Sequence, residues 1–299
     1  MKVLITGMTG FAGTHLAAYA RGQGAEVSGL SRSTGVDLGD VAALGRAVGD
    51  ARPDLIFHLA AQTSGSDEAQ LHRSNVEGTR NLLESAAALG TKPRVLVASS
   101  SAIYGGGPAE GEPISEDAPL TPNGAYAAAK AGQDRLAEQL GRDLALDVVR
   151  ARAFNQTGPG ERDSFVASSV ARQIAEIEAG LRAPRIAIGR TDTLRDFSDV
   201  RDIARGYWLA ATRGEAGEAY NLCSGRAVSI RQILDILLSL SSATVAVEQD
   251  PARMRPSDVP VQVGDPSRAQ RELGWEATIP LEQTLSDLLQ YWRDAVRRV

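Results

Sequence analysis

The sequence is poor in cysteine, histidine and long apolar runs, and each shortage closes off a class of protein. A single cysteine, Cys223, excludes an intrachain disulfide and any cysteine-rich metal site; with no activating base beside it, it reads as a buried small side chain. The three histidines, His15, His58 and His72, have no spacing that would gather a metal. No apolar stretch approaches the ~20 residues that span a bilayer, and the amino terminus lacks the apolar core and cleavage site of a secretory signal. Excess positive charge is missing as well: 32 basic residues against 37 acidic ones give −5, so there is no global footprint for nucleic acid. These absences describe a protein expected in the reducing cytoplasm, away from membranes and nucleic acid. Its 299 residues suffice to bury a core without staples.

The first half alternates short β-branched apolar runs with amphipathic stretches. Strands are expected at 2–6, 26–30, 55–59, 94–99 and 147–150, with a very short further strand at 36–37. Helices are expected at 11–22, 41–48, 69–89 and 126–144. This alternation predicts βαβ units on a parallel sheet, an α/β fold. Beyond about residue 150 the order loosens. Segments 155–163, 189–195 and 250–265, rich in Gly, Pro and Arg, read as loops suited to ligand contact, between helices at 165–179, 200–211, 230–240 and 281–294. Glu84, Glu138 and Glu176 fit solvated helix faces.

Between the first strand and the first helix stands Gly7-Met8-Thr9-Gly10-Phe11-Ala12-Gly13. Glycines at this spacing let the backbone turn tightly and approach a pyrophosphate, whose charge then faces the N–H groups of the helix start. Gly7, Thr9, Gly10, Phe11, Ala12 and Gly13 are therefore expected at a dinucleotide. The second strand ends in Leu30-Ser31-Arg32-Ser33, without the acid that would hold an adenosine ribose. Arg32 with its serines suits a 2′-phosphate, which favours NADP and leaves NAD open, and Asp37 with Leu38 is expected near the adenine.

Tyr126 and Lys130 lie four apart in a helical stretch and so project from one face. A nearby ammonium stabilises a phenolate and so draws a tyrosine toward working pH. The polar run Ser99-Ser100-Ser101-Ala102-Ile103-Tyr104-Gly105 follows an apolar strand, at the sheet edge where such folds place ligands.

With HLAAQ at 58–62, NVEGT at 75–79, FNQTGPG at 154–160 and RDFSDVRD at 195–202, these motifs make the chain resemble the extended short-chain dehydrogenases/reductases along nearly its whole length. The resemblance implies a Rossmann-type doubly wound parallel sheet, mainly residues 1–160, and a smaller C-terminal lobe, mainly 161–299, that binds a nucleotide sugar. It implies a catalytic Ser100, Tyr126 and Lys130, with Lys130 also on the nicotinamide ribose and Leu59, Ala60 and Ala61 beside the cofactor. Ser101, Asn155, Arg195, Arg255 and Asp258 are the implied substrate contacts, and a homodimer through helices 69–89 and 126–144 is the family habit.

Family dehydratases carry acids just after the triad serine or threonine, where this chain has Ser101 and Ala102, so a reductase or epimerase is favoured. The segments 173–180, 220–225, 230–239 and 255–260 are similar to the GDP-mannose branch, and within it to reductases of GDP-4-keto-6-deoxy-D-mannose, which make GDP-D-rhamnose. A 4-epimerase with bound NAD, a GDP-mannose dehydratase and a non-catalytic dinucleotide-binding module are the rival readings.

Overall fold

The computed structural model describes residues 1–31, 35–63, 67–107, 111–254 and 259–298. Arg32, Arg255 and Asp258 lie outside them. In chain order the first part runs β1 (Lys2–Thr6), α1 (Phe11–Gly22), β2 (Glu26–Leu30), α2 (Val41–Ala51), β3 (Leu55–His58), α3 (Glu68–His72), α4 (Gly78–Ala87), β4 (Arg94–Ser100), α5 (Ala125–Asp143), β5 (Val148–Ala153) and β6 (Asn155–Thr157). The remainder runs α6 (Val166–Glu178), β7 (Arg185–Ile188), β8 (Leu194–Asp199), α7 (Val200–Arg213), β9 (Ala219–Leu222), β10 (Ala227–Ser229), α8 (Ile230–Ser239), β11 (Ala246–Gln249), β12 (Val261–Gln262) and α9 (Leu281–Val296).

Six parallel strands form the main sheet in the order β2-β1-β3-β4-β5-β9. Successive side chains of a strand point to opposite faces, so an unbroken apolar run fills two cores at once. In β1, Val3 and Ile5 face a core closed by α1 and α7, while Leu4 faces a second core closed by α2, α4 and α5. Phe57 stacks on Trp208 in the first of these. The later elements build a separate core from α6, α8 and α9 over β7, beside a small sheet of β10, β8 and β12 with β6 on β8. None of the described helices is long and apolar enough to cross a membrane.

Five local expectations are corrected. No strand forms at 36–37: the Asp37 carboxylate accepts from the Gly39 amide at 2.7 Å and Asp40 caps α2, so the chain turns into the helix. The helix expected over 69–89 begins at Glu68 and passes through a π-helical turn at Arg73–Glu77 between α3 and α4. Strand β5 continues past Arg150 to Ala153, because the buried Asp134 on α5 pairs with both Arg150 and Arg152 and lets two arginines lie inside a sheet. All three expected loops contain strand: Asn155–Thr157 is β6, Leu194 opens β8, and Val261–Gln262 is β12. Of the acids read as solvated, Glu138 binds Arg150, and Glu176 binds Arg172 and Arg182 in half-buried pairs.

Candidate active site

The glycine turn closes under steric constraint. Gly7 has φ +72°, and a Cβ there would sit 2.9 Å from the Ala60 nitrogen. At Gly13 a Cβ would lie 2.2 Å from the Gly7 carbonyl oxygen. No side chain caps the first turn of α1 and no acid stands in it, so its N–H groups are arranged to meet an anion. An open cleft of about 740 Å³ begins here. Of the residues expected at the cofactor, Gly7, Thr9, Gly10, Asp37, Leu38, Leu59, Ala60 and Ala61 line it, while Phe11, Ala12, Gly13 and Lys130 do not. A cradle that any Cβ would fill, an uncapped helix start and a cleft of this size fit a dinucleotide. We expect Gly13→Ala to weaken NADPH binding by more than about tenfold, read by fluorescence titration, because the added methyl must displace the backbone the phosphates would meet.

The cleft's other wall was missed from sequence. Gln70, Arg73, Ser74, Glu77 and Asn81 line it from α3, the π-turn and α4. Their spacing of three to four residues marks one polar helix face opposite Leu71, Leu82 and Leu83, a signal that a solvated face imitates. Asn81 donates to the Leu38 carbonyl at 2.8 Å, and Asn75 clasps the Gln62 backbone at both its amide (2.8 Å) and its carbonyl (3.0 Å). These bonds set the cleft's rims.

At the C-terminal end of β4, Ser100 opens a short 3₁₀ turn and its oxygen accepts from the Ala102 amide at 3.2 Å. Helix α5 brings Tyr126 against it. Burial pushes the Tyr126 hydroxyl above its ordinary range, and a hydrogen bond from Ser100 opposes that shift. Lys130 lies one turn further along α5. Its ammonium donates to the Ala98 carbonyl at 2.5 Å and to the Gln133 amide oxygen, and burial lowers its pKa to about 8 against the opposing pull of Asp134. The structure thus joins Ser100 to Tyr126 and aims Lys130 into the helix–sheet seam.

The substrate candidates separate. Ser101 is buried and its hydroxyl donates to Gln262 at 3.3 Å. Asn155 opens β6 opposite Phe197, and Arg195 is half-buried on β8 with Nη1 on the Leu194 carbonyl. Loop 158–162 reaches α1 and the segment after β3, where the Pro159 carbonyl meets His15 Nε2 at 2.8 Å and Arg162 donates to Thr63 at 3.0 Å. Cys223 is buried and its thiol is pushed up by burial, with the carboxylates of Asp196 and Glu116 adding to the shift.

Comparisons with known proteins agree with this layout. The family model described as GDP-mannose 4,6 dehydratase matches residues 32–288. GDP-6-deoxy-D-mannose reductase of Pseudomonas aeruginosa is 36% identical, over 99% of this chain and 98% of that protein. Among solved structures, RMD from Pseudomonas aeruginosa complexed with NADPH superposes with a TM-score of 0.90 at 34% identity, covering 99% of this chain and 100% of the other. UDP-glucose 4-epimerase of Thermus thermophilus in complex with NAD reaches 0.88 at 26% identity with the same coverage. The glycine cradle, the Ser100–Tyr126 pair and full-length likeness lead to one conclusion: the chain belongs to the GDP-mannose 4,6-dehydratase family of the extended short-chain dehydrogenases/reductases.

Proposed function

We propose that this chain is an NADPH-dependent reductase that converts the C4 carbonyl of GDP-4-keto-6-deoxy-D-mannose into the alcohol of GDP-D-rhamnose. The observation that carries the reading is the proton-donor pair of Ser100 with Tyr126, followed by Ser101 and Ala102 at the positions where family dehydratases carry the acids an elimination needs: Ser101 is buried against Gln262, and Ala102 has no acid to offer. The name of the Pseudomonas reductase supports the sugar, and the NADPH in its namesake structure supports the cofactor.

Bound NADPH would supply a hydride to the carbonyl carbon. The chain's own residues do the rest. Gly7, Gly10 and the α1 amides would hold the pyrophosphate. Tyr126 gives its proton to the carbonyl oxygen as that oxygen takes charge. Its pKa, raised by burial, keeps that proton in place at neutral pH. Ser100 donates to the phenolate left behind. Lys130 would meet the nicotinamide ribose. Asn155 and Arg195, with Arg255 and Asp258, would contact the nucleotide diphosphate and sugar. The dinucleotide lobe is mainly 1–160 and the substrate lobe mainly 161–299, in a cytoplasmic homodimer packed through α3, α4 and α5.

Purified protein given NADPH and GDP-4-keto-6-deoxy-D-mannose should consume one NADPH per GDP-D-rhamnose formed. Turnover of UDP-glucose to UDP-galactose with no net change in nicotinamide absorbance would instead make it an epimerase, and a keto sugar made from GDP-mannose without reductant would make it a dehydratase. In the reductase assay kcat/KM should fall as pH rises through about 8, where the Lys130 ammonium of the free enzyme is lost.

A further inference from the structure

A continuous line of buried polar groups runs from Lys130 to the floor of the glycine turn, across four elements, and the proton donor has no use for it. Lys130 donates to the Gln133 side-chain oxygen, and Gln133 donates from Nε2 to Thr79 Oγ1 at 2.8 Å. His58 Nε2 lies 2.8 Å from the same Thr79 oxygen, and His58 Nδ1 lies 2.7 Å from Thr6 Oγ1. Thr6 Oγ1 in turn accepts from the Ala60 amide at 3.2 Å, on which Gly7 packs. Thr6, His58, Thr79 and Gln133 are all wholly buried.

Counting protons fixes the direction of every bond. The single Thr79 hydroxyl proton goes to the Asn75 carbonyl at 2.7 Å, so Thr79 must accept from both Gln133 and His58. His58 therefore carries its proton on Nε2 and accepts at Nδ1 from Thr6. A second proton would set two donors against each other at Thr6. Burial, and then the charge of Lys130, hold His58 neutral down to about pH 3. Gln133 can face only one way, oxygen to the ammonium and nitrogen to Thr79. An amide standing between lysine and histidine accepts and donates but passes no proton, so the line is a strut and not a relay.

We infer that Gln133 is the positioning residue of Lys130, held in its one useful orientation by Thr79 and His58, so that the aim of the ammonium is set from the glycine turn. This rests on the catalytic reading of Lys130 given above. Among the described residues, the other charged and titratable groups that act on that ammonium are Asp134 on α5, neutralised by Arg150 and Arg152 from β5, and His58 from β3.

The test is the pH dependence of NADPH affinity, followed by nicotinamide fluorescence, beside kcat/KM for the keto sugar. Gln133→Leu removes the acceptor and should move the alkaline limb of both profiles down by about one pH unit, with kcat/KM lower by about tenfold at neutral pH. Gln133→Glu sets a carboxylate beside the ammonium and should move the limb up. Opposite shifts from one position are a signature that loosened packing does not give. Should Gln133→Leu fail to fold, Thr79→Val cuts the strut one bond further away and should shift the limb down by less. Limbs that coincide with wild type in folded variants, or that move the same way in the Leu and Glu variants, overturn the inference. Because NADPH binding needs no sugar, a wild type that binds NADPH yet leaves the keto sugar unreduced would refute the reductase reading while leaving the strut testable.

Discussion

Tyr126→Phe should lower kcat for reduction of the keto sugar by roughly 10² to 10⁴-fold, while NADPH affinity and melting temperature stay close to wild type. The ring is kept, so packing at the start of α5 is preserved, and what disappears is the hydroxyl that meets Ser100. Ser100 cannot replace it, because a serine hydroxyl is too weak an acid to release its proton at neutral pH. Ser100→Ala should cost less, since it removes a donor to the phenolate and leaves the acid in place. Stopped-flow single turnover with NADPH in excess separates the chemical step from product release. If Tyr126→Phe leaves that step within threefold of wild type, Tyr126 is not the proton donor.

The second large effect concerns stability. Asp134 is fully buried and binds Arg152 through Nε (3.1 Å) and Nη2 (2.8 Å), and Arg150 through Nη1 at 3.0 Å. Burial alone would raise its pKa. The Arg152 hydrogen bonds and the charges of Arg152 and Arg150 outweigh burial and hold the carboxyl below its ordinary value of 3.8. Asp134→Ala leaves two guanidinium groups in the sheet with their main counter-ion gone, at a cost of about 3–5 kcal/mol. Urea unfolding measures this directly. Arg142→Ala, which breaks an exposed pair with Glu138, should cost less than about 1 kcal/mol and serves as the control. The pH dependence has a definite sign: a carboxyl with a depressed folded pKa stabilises the fold above its unfolded pKa, and that contribution is lost as pH falls through the folded value. An Asp134→Ala protein as stable as wild type would show that Glu138 and the Gly217 carbonyl satisfy Arg150 unaided, and that Arg152 relaxes onto Glu116 and Tyr104.

The β1–turn–α1 unit was legible because its information is local: an apolar strand, glycines at fixed spacing and a helix directly after. Tyr126 and Ser100 were legible because one motif places each at the end of an element. Lys130 was half legible. Its position on α5 follows from helical spacing, but its partners, Ala98 on the neighbouring strand and Gln133, depend on how the helix sits against the sheet. The polar wall from Gln70 to Asn81 stayed hidden because a helix face turned toward a cleft and one turned toward water have the same composition. Arg152 stood outside the expected strand, which ended at Arg150, and a buried acid eighteen residues before it is what lets the strand continue. The same distance in sequence explains Ser101, whose partner Gln262 is 161 positions away.

The position of β9 bears on how the molecule comes into being. This strand is the outermost member of the main sheet, paired with β5, yet it is made about seventy residues after β5, with β6, α6, β7, β8 and α7 in between. While the chain leaves the ribosome, the edge of β5 from Arg150 to Ala153 carries unsatisfied amides and carbonyls until Leu222 has emerged. An edge of this kind recruits strands from other chains. A polypeptide cut near residue 160 would therefore hold the whole glycine cradle and Tyr126 and still present a sticky, incomplete sheet. The later part of the chain thus supplies the strand that closes the sheet carrying the glycine cradle.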